Sequence, residues 1–401
     1  MTIFTRQNRM FFFLLSVFLL SAGLICYSYV LFPLYLAIRS RDKSSGTVQF
    51  TRDAAALPGI SFIIAAYNEE RVIAEKLEAL LASDYPEDRL EILVGSDASF
   101  DRTNSLLREF ANRSPRIRIF LFPERRGKPS VVNDLVREAR FPLLILTDAN
   151  VMPEPETAFR LVRHFRDERI GLVGANILNV GMRRDGISFQ EKAYIERENL
   201  IKYHEGLVWG TMMGPFGGCY ALRRSLYQDV PATNLVDDFY IAMRVMEQGY
   251  RSINELDAIC YEDVSNDMYQ EYRRKARISA GNFQNLSFFK RWILQPLNPI
   301  GFCFLSHKVL RWFTPLFILL SLFTLACLAF YQREWAVLLT VEVILLLSPA
   351  WEWSLRKLGL HLKSVRFVAY FVFMNIALAQ GYFRYLGGVR SGIWSPTQRN
   401  R

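Results

Sequence analysis

Leu143-Leu144-Ile145-Leu146-Thr147-Asp148-Ala149-Asn150 is the stretch that decides the fold. Four large aliphatic residues followed by a polar tip fit a strand buried on both faces, as in a parallel sheet covered by helices. Side chains at i and i+2 of an extended segment point the same way, so Asp148 and Asn150 share a face at the strand end. Hard divalent cations take oxygen ligands and leave room for substrate phosphate, and this spacing suits Mg²⁺ or Mn²⁺. An ordinary Asp-x-Asn turn is the other reading of the same residues.

Upstream, the same pattern occurs twice. Ser61 to Ala66 is a buried strand that ends in Tyr67-Asn68-Glu69-Glu70, and such an end holds a base and ribose or simply starts a helix. Glu91 to Val94 leads into Gly95-Ser96-Asp97-Ala98-Ser99-Phe100-Asp101. There Asp97 suits a base N–H, while Ser99 and Asp101 are expected to cap the next helix. Further strands are expected at 60–65, 116–122, 142–146, 171–173 and 219–222. Glu69–Ala82 reads as a helix with Val72, Ile73, Leu77, Leu80 and Leu81 on one face. Strands alternating with helices predict an α/β, Rossmann-like, mostly parallel sheet with ligands at the strand C-terminal ends. Arg125-Arg126-Gly127-Lys128-Pro129-Ser130 lacks the first glycine of a P-loop and carries a proline after the lysine, which excludes that motif. Lys128 still suits a nucleotide, with Asn133 a turn further on. Downstream come Phe216-Gly217-Gly218-Cys219-Tyr220, where glycines allow close backbone approach, then Asp237-Asp238 and Arg274-Lys275-Ala276-Arg277-Ile278.

Apolar segments enclose this middle region. Met10–Ile38 is long enough to cross a hydrocarbon core and too long for a signal-peptide core. Trp312–Tyr331, Trp335–Trp353 and Phe367–Leu386 are further candidates. Phe283–Ile300 mixes Phe288, Phe289, Trp292 and Ile293 with Lys290 and Arg291, which suits a helix in the membrane interface or one packed under the domain. The expected organisation is a tail at 1–9, a span at 10–38, a linker at 39–58, the α/β domain at 59–281, an interfacial segment at 282–311, about three spans within 312–386, and a basic tail at 387–401. Sixteen Lys and Arg flank the spans on the domain side and seven on the other. The positive-inside rule then puts the domain in the cytoplasm of a multi-pass plasma-membrane protein. The net charge of +10 fits anionic lipid contact, and no basic stripe suggests nucleic acid. Five cysteines without a Cys-x-x-Cys pair support neither zinc nor a disulfide framework. Glu342, Asn375 and Gln380 inside the spans suit either an acceptor path or bonds between helices.

The ordered set Ala66-Tyr67-Asn68-Glu69, Ser96-Asp97-Ala98-Ser99, Gly127-Lys128, Asp148-Ala149-Asn150, Asp237-Asp238 and Arg274-Lys275-Ala276-Arg277-Ile278 resembles the family 2 glycosyltransferases. These are membrane-bound inverting enzymes with a GT-A domain, among them polysaccharide synthases of bacteria and ceramide glucosyltransferases. The resemblance runs from about Ser61 to Ile278. It implies a GT-A domain flanked by transmembrane helices, a nucleotide-sugar donor with UDP favoured, and a lipid-linked or polysaccharide acceptor. It also implies donor contacts at Ala66, Tyr67, Glu69, Asp97, Ser99, Lys128, Asp148, Arg274 and Arg277, with an acceptor-side turn at Gly217 and Gly218. The metal would sit at Asp148 and Asn150, and Asp238 would be the base, beside Asp237. Three departures stand out. Asn150 replaces an Asp and weakens the metal site, Asp237 replaces a Glu, and Ile278 replaces a tryptophan. Lys308-Val309-Leu310-Arg311-Trp312 is closer by letters to the family's last motif, but it abuts a span and lies 73 residues beyond Asp238, against 39 for Arg277. Arg277 is therefore favoured. Asn150 also motivates an alternative: a catalytically silent nucleotide-sugar-binding partner of a synthase complex.

Overall fold

In the computed structural model the described residues are 2–44, 46–181, 188–263, 267–389 and 391–392. Most of the expected basic C-terminal tail lies outside them. The chain enters through α1 (Thr2–Cys26), a π-helical stretch at Tyr27–Leu31 and α2 (Phe32–Ser40). The α/β domain then runs β1 (Ile60–Ala66), α3 (Ile73–Leu81), β2 (Leu90–Asp97), α4 (Thr103–Arg113), β3 (Ile117–Phe122), α5 (Lys128–Glu138) and β4 (Leu143–Thr147). It continues with β5 (Val151–Pro153), α6 (Thr157–Val162), β6 (Ile170–Val180), α7 (Ser188–Trp209), β7 (Cys219–Arg223), α8 (Asp237–Glu247) and β8 (Arg251–Asp263). Helices follow to the end: α9 (Met268–Phe289), α10 (Pro299–Cys303), α11 (Leu310–Trp312), α12 (Thr314–Tyr331), α13 (Trp335–Leu346), α14 (Ser348–Lys357) and α15 (Lys363–Leu386).

The eight strands form one sheet in the order β3-β2-β1-β4-β7-β6-β8-β5. Pairings β1–β2, β1–β4, β2–β3 and β6–β8 are parallel, and those of β7 with β4 and β6 and of β5 with β8 are antiparallel. The two-residue alternation of strands explains the layering. Ile60, Phe62, Ile64 and Ile145 join Leu77, Leu80 and Leu107 on one face. Ile63, Leu93, Leu144 and Leu146 join Val131, Leu135 and Tyr220 on the other. Each such aliphatic side chain contributes about 1.5–3 kcal/mol by leaving water. Strand order reverses between β1 and β4, so their C-terminal ends open a crevice, the usual ligand position in such sheets.

Several expectations need adjustment. β6 extends well beyond residues 171–173, and β8 and β5 were not expected at all; β8 carries polar residues throughout and its register with β6 shifts between Ala175 and Asn176, which hides the alternation. The helix expected at 69–82 starts at Ile73, because Asn68 to Val72 forms a turn. Helix α1 begins within the expected N-terminal tail. In the segment 283–300, Phe289 and Trp292 are buried against the domain, the indole donating to Glu247 at 3.0 Å, while Leu294 and Leu297 stay exposed. Among the described residues three helical segments are long and apolar enough to cross a membrane: 8–40, 314–331 and 363–386. The fourth candidate breaks at Leu347, before Pro349, into α13 and α14 bent by 52°. All five cysteines are free.

Candidate functional site

A cavity of about 950 Å³ lies at the strand ends between the sheet, α7, α9 and α15. At the β1 and β2 tips Asn68 and Ala98 both have left-handed backbone, φ 53° and 56°. This is uncommon for residues with a Cβ and is a form of strain that concentrates at functional sites. The two tips hold each other. The Asn68 amide donates to Ser99 Oγ at 3.1 Å, and the Phe100 amide donates to Asn68 Oδ1 at 3.1 Å. The Glu69 amide donates to Thr103 Oγ1 at 2.8 Å. Helix α4 is capped by Asp101, which accepts the Thr103 amide at 3.0 Å; Ser99, expected to share that role, fastens the β1 tip instead. Asn68 and Glu69 line the cavity. Ala66 is buried, and Tyr67 stacks under the Arg125 guanidinium at 3.3 Å.

Asp97 is fully buried. Its carboxylate accepts the amides of Arg126 at 2.7 Å and Gly127 at 2.9 Å. Gly127 has φ 86°, where a Cβ would be strained, and α5 starts at the next residue. This anchored turn sends Lys128 into the cavity, where its ammonium donates to Asp148 Oδ1 at 2.8 Å and lies 3.5 Å from Asp237 Oδ2. Burial alone would lower the Lys128 pKa, but Asp148, Asp237 and Asp238 raise it above the usual lysine value. Asn133 does not reach the cavity; it is buried between the Val230 backbone and the Tyr227 hydroxyl.

The β4 tip is held from two sides. The Asp148 amide and Thr147 Oγ1 both donate to Gly218 O, at 3.1 and 2.8 Å. From beneath, the fully buried Lys76 of α3 donates to Thr147 Oγ1 at 2.7 Å and to Val151 O, the two residues that bracket Asp148-Ala149-Asn150. Asp148 and Asn150 both line the cavity. Asn150 Nδ2 is buried without a hydrogen-bond partner. Among the described residues no three His, Cys, Asp or Glu side chains form a metal cluster. The pair therefore fits a divalent ion whose remaining ligands are substrate oxygens, the usual Mg²⁺ arrangement.

Asp237 and Asp238 open α8, where the helix dipole favours carboxylates. Burial and the neighbouring Asp237 push the Asp238 carboxyl up to about 6, against Lys128, Lys202 and its bond from the Phe239 amide. Gly217 approaches it closely, since a Cβ there would sit 3.0 Å from Asp238 Oδ2. Opposite, α9 presents three cations. Arg274 pairs with Glu271 at 3.4 Å and lies 3.8 Å from Glu262, while Lys275 pairs with Glu191 at 3.0 Å. Among the described residues Arg277 donates only to Leu235 O, at 3.3 Å, and burial followed by the Arg274 charge lowers its pKa. Ile278 also lines the cavity.

Lys308, Arg311 and Trp312 line the same cavity as Arg277. Lys308 and Arg311 both pair with Glu198 of α7, and Trp312 is buried against Phe239, Phe283 and Phe304. They are therefore not lipid-facing anchors. Lys76, Lys202 and Glu198 were missed altogether, since a lone charge in a helical stretch ordinarily reads as a solvated face. Of the polar residues in the apolar helices, Glu342 accepts from Ser321 at 2.9 Å, and Asn375 lines the cavity while donating to Phe371 O at 2.9 Å.

Comparison with known proteins gives relatives for the α/β domain that holds this cavity. The family model for glycosyl transferase family 2 matches residues 61–230, a stretch that holds Lys128, Asp148 and the Gly217-Gly218 turn. The chain is 28% identical over 242 residues to a probable glycosyltransferase, YdaM, of Bacillus subtilis, covering 56% of each chain. It is 25% identical over 237 residues to the poly-beta-1,6-N-acetyl-D-glucosamine synthase of Staphylococcus aureus, covering 57% of this chain and 56% of that one. The chain thus spans about half the length of the curated relatives it matches. Among solved structures, the mannosyltransferase PcManGT from Pyrobaculum calidifontis, in complex with GDP-Man and Mn²⁺, superposes with a TM-score of 0.69 at 24% identity, over 92% of this chain and 99% of that one. The fold expected from the strand pattern is the one observed: residues 61–230 match the glycosyl transferase family 2 model, and the architecture is GT-A-like.

Proposed function

We propose that this chain transfers a glycosyl group, with inversion, from a nucleotide-sugar donor to a lipid-linked or polysaccharide acceptor at a membrane surface. The observation that carries this reading is the meeting, in one cavity, of the Asp237-Asp238 carboxylates with Asp148 and the cations Lys128, Arg274 and Arg277. Asp238 takes the proton of the acceptor hydroxyl. The acceptor oxygen bonds the anomeric carbon as the bond to the diphosphate breaks, and the diphosphate leaves with the electron pair. A single displacement inverts the centre. Lys128 and Arg277 face the developing charge of the leaving group, with Arg274 one turn before Arg277 on the same helix. Asp148 and Asn150 would hold Mg²⁺ or Mn²⁺, which neutralises diphosphate charge when bound. Asp97 positions the loop of Lys128, and the tips around Asn68, Glu69 and Ser99 face the nucleoside. UDP is the favoured nucleotide.

The apolar helices fit a membrane protein, and the excess of basic residues on the domain side supports a cytoplasmic domain. If the bent pair α13–α14 enters and leaves on one face, three spans remain and the C-terminus returns to the domain side. The test is nucleotide release and glycosyl transfer by the purified full-length chain across a panel of nucleotide sugars, with and without EDTA, beside Asp238→Asn. Release of one nucleotide that is lost in the variant and in EDTA supports the reading. Donor binding with no release, even with membrane lipid added, overturns it in favour of a silent donor-binding subunit.

A further inference from the structure

Lys202 belongs to no motif of the donor site. It lies on α7, 3% exposed, and makes no hydrogen bond or ion pair with any described residue. Its ammonium rests on the Phe216 ring, 3.4 Å from the centroid. The two glutamates on its own helix face are engaged elsewhere. Glu198 receives His307 Nε2 at 3.1 Å, Lys308 Nζ at 3.1 Å and the Arg311 guanidinium. Glu205 is bonded by His307 Nδ1 at 2.8 Å and by the Met213 amide at 3.0 Å. Lys202, Lys308 and Arg311 face Glu198, Glu205 and Asp238, so the charges balance, but none of these carboxylates bonds Lys202. Burial first, and then the Lys308 charge, push Lys202 down to about 7, against Glu198, Asp238 and Glu205. A buried ammonium so placed is costly unless an anion shares the space.

The location gives the chemistry of that anion. Lys202 and Lys308 both line the cavity. Phe216 ties Lys202 to the turn whose Gly217 abuts Asp238. Beyond the two lysines the wall turns apolar, with Phe367, Phe371, Met374 and Leu378 of α15 and Tyr29 of the first apolar segment. Lys202 lacks a bonded anion, Lys308 shares Glu198 with Arg311, and a phosphate has oxygens enough to reach both ammoniums.

We propose that Lys202 and Lys308 form a subsite for the phosphate of an amphiphilic acceptor whose apolar part lies along α15. This rests on the transferase reading above and names its acceptor class. The shared chemistry is the phosphate oxyanion, and the test separates a lipid phosphate from free phosphate. Binding of farnesyl monophosphate, farnesol and inorganic phosphate is measured on the detergent-purified full-length chain. Comparison proteins are Lys202→Gln, Lys202→Arg and, should the first fail to fold, Lys308→Gln. The monophosphate is expected to bind at least about tenfold tighter than farnesol, to weaken at least about tenfold in Lys202→Gln, and to recover in Lys202→Arg. Equal binding of farnesol and the monophosphate, or no loss in the glutamine variants, overturns the subsite. Inorganic phosphate binding as tightly as the monophosphate, and equally dependent on Lys202, overturns the amphiphile in favour of a free-phosphate site. Nucleotide release from the donor is scored on the same wild-type preparation. A chain that turns over donor but ignores the monophosphate rejects only the subsite. A chain that binds the monophosphate but turns over no donor rejects the transferase reading.

Discussion

The ammonium of Lys128 lies 2.8 Å from Asp148 Oδ1 and 3.5 Å from Asp237 Oδ2, so one side chain joins the tip of β4 to the start of α8. It is the cation that lets three carboxylates share one cavity. Lys128→Met should lower kcat/KM for the donor by about 10–100-fold, the usual size of a lost charge-assisted contact. Steady-state kinetics with the full-length chain would check this. An unchanged kcat/KM would show that Arg277 suffices.

The pH dependence follows from Asp238. A base must be ionised, so transfer should rise with pH through an apparent value near 6 and level off above it. Lys128 opposes the upward push on Asp238, so removing it should move this limb to higher pH. A pH–kcat profile of wild type and Lys128→Met would show the shift, and coincident profiles would place the limb on another group. Asp238→Asn should lose about 10²–10⁴-fold in kcat with little change in donor affinity.

Lys76 acts from behind the site. Its bonds to Thr147 Oγ1 and Val151 O hold the ends of the Asp148-Ala149-Asn150 turn. Lys76→Met keeps the volume but leaves the Val151 carbonyl without its partner, at a cost of about 1–3 kcal/mol. A thermal melt should fall. Mn²⁺ dependence of the residual activity should move to higher concentration, a change that a purely global loss of stability would not produce.

Gly217 sets the distance to the base. An added Cβ would sit 3.0 Å from Asp238 Oδ2, tighter than ordinary contact, so Asp238 must give way. Gly217→Ala should depress transfer more than donor binding, read as a fall in kcat at nearly constant donor affinity. Equal losses in both would mean that the turn serves the donor instead.

Much of this was legible in the sequence because it sits where physics is local. A four-residue aliphatic run ending in Thr147-Asp148 announces a buried strand and its polar tip without any knowledge of neighbours. β8 was not legible, because its residues answer to a partner strand with a shifted register. Lys202 and Lys76 were invisible for a related reason: a helix lysine reads as solvated until the element covering it is known. Arg311 and Trp312 were assigned to the membrane boundary by sequence adjacency, yet the fold turns them inward onto Glu198 and Phe239. Asp97 illustrates the reverse, a recognised residue whose carboxylate is committed to two backbone amides.

Helix α15 lies directly on α9. Gly381 meets Ser279 and Ala276 with no room for a side chain, and Ser279 Oγ donates to Leu378 O at 2.8 Å. The same α9 carries Arg274, Lys275 and Arg277. Should α15 span a bilayer, lipid thickness would become an input at the cavity: a thinner hydrocarbon layer tilts an apolar helix, and a tilt of α15 would reach Arg277 through that contact, so acyl-chain length would act as a dial on donor affinity.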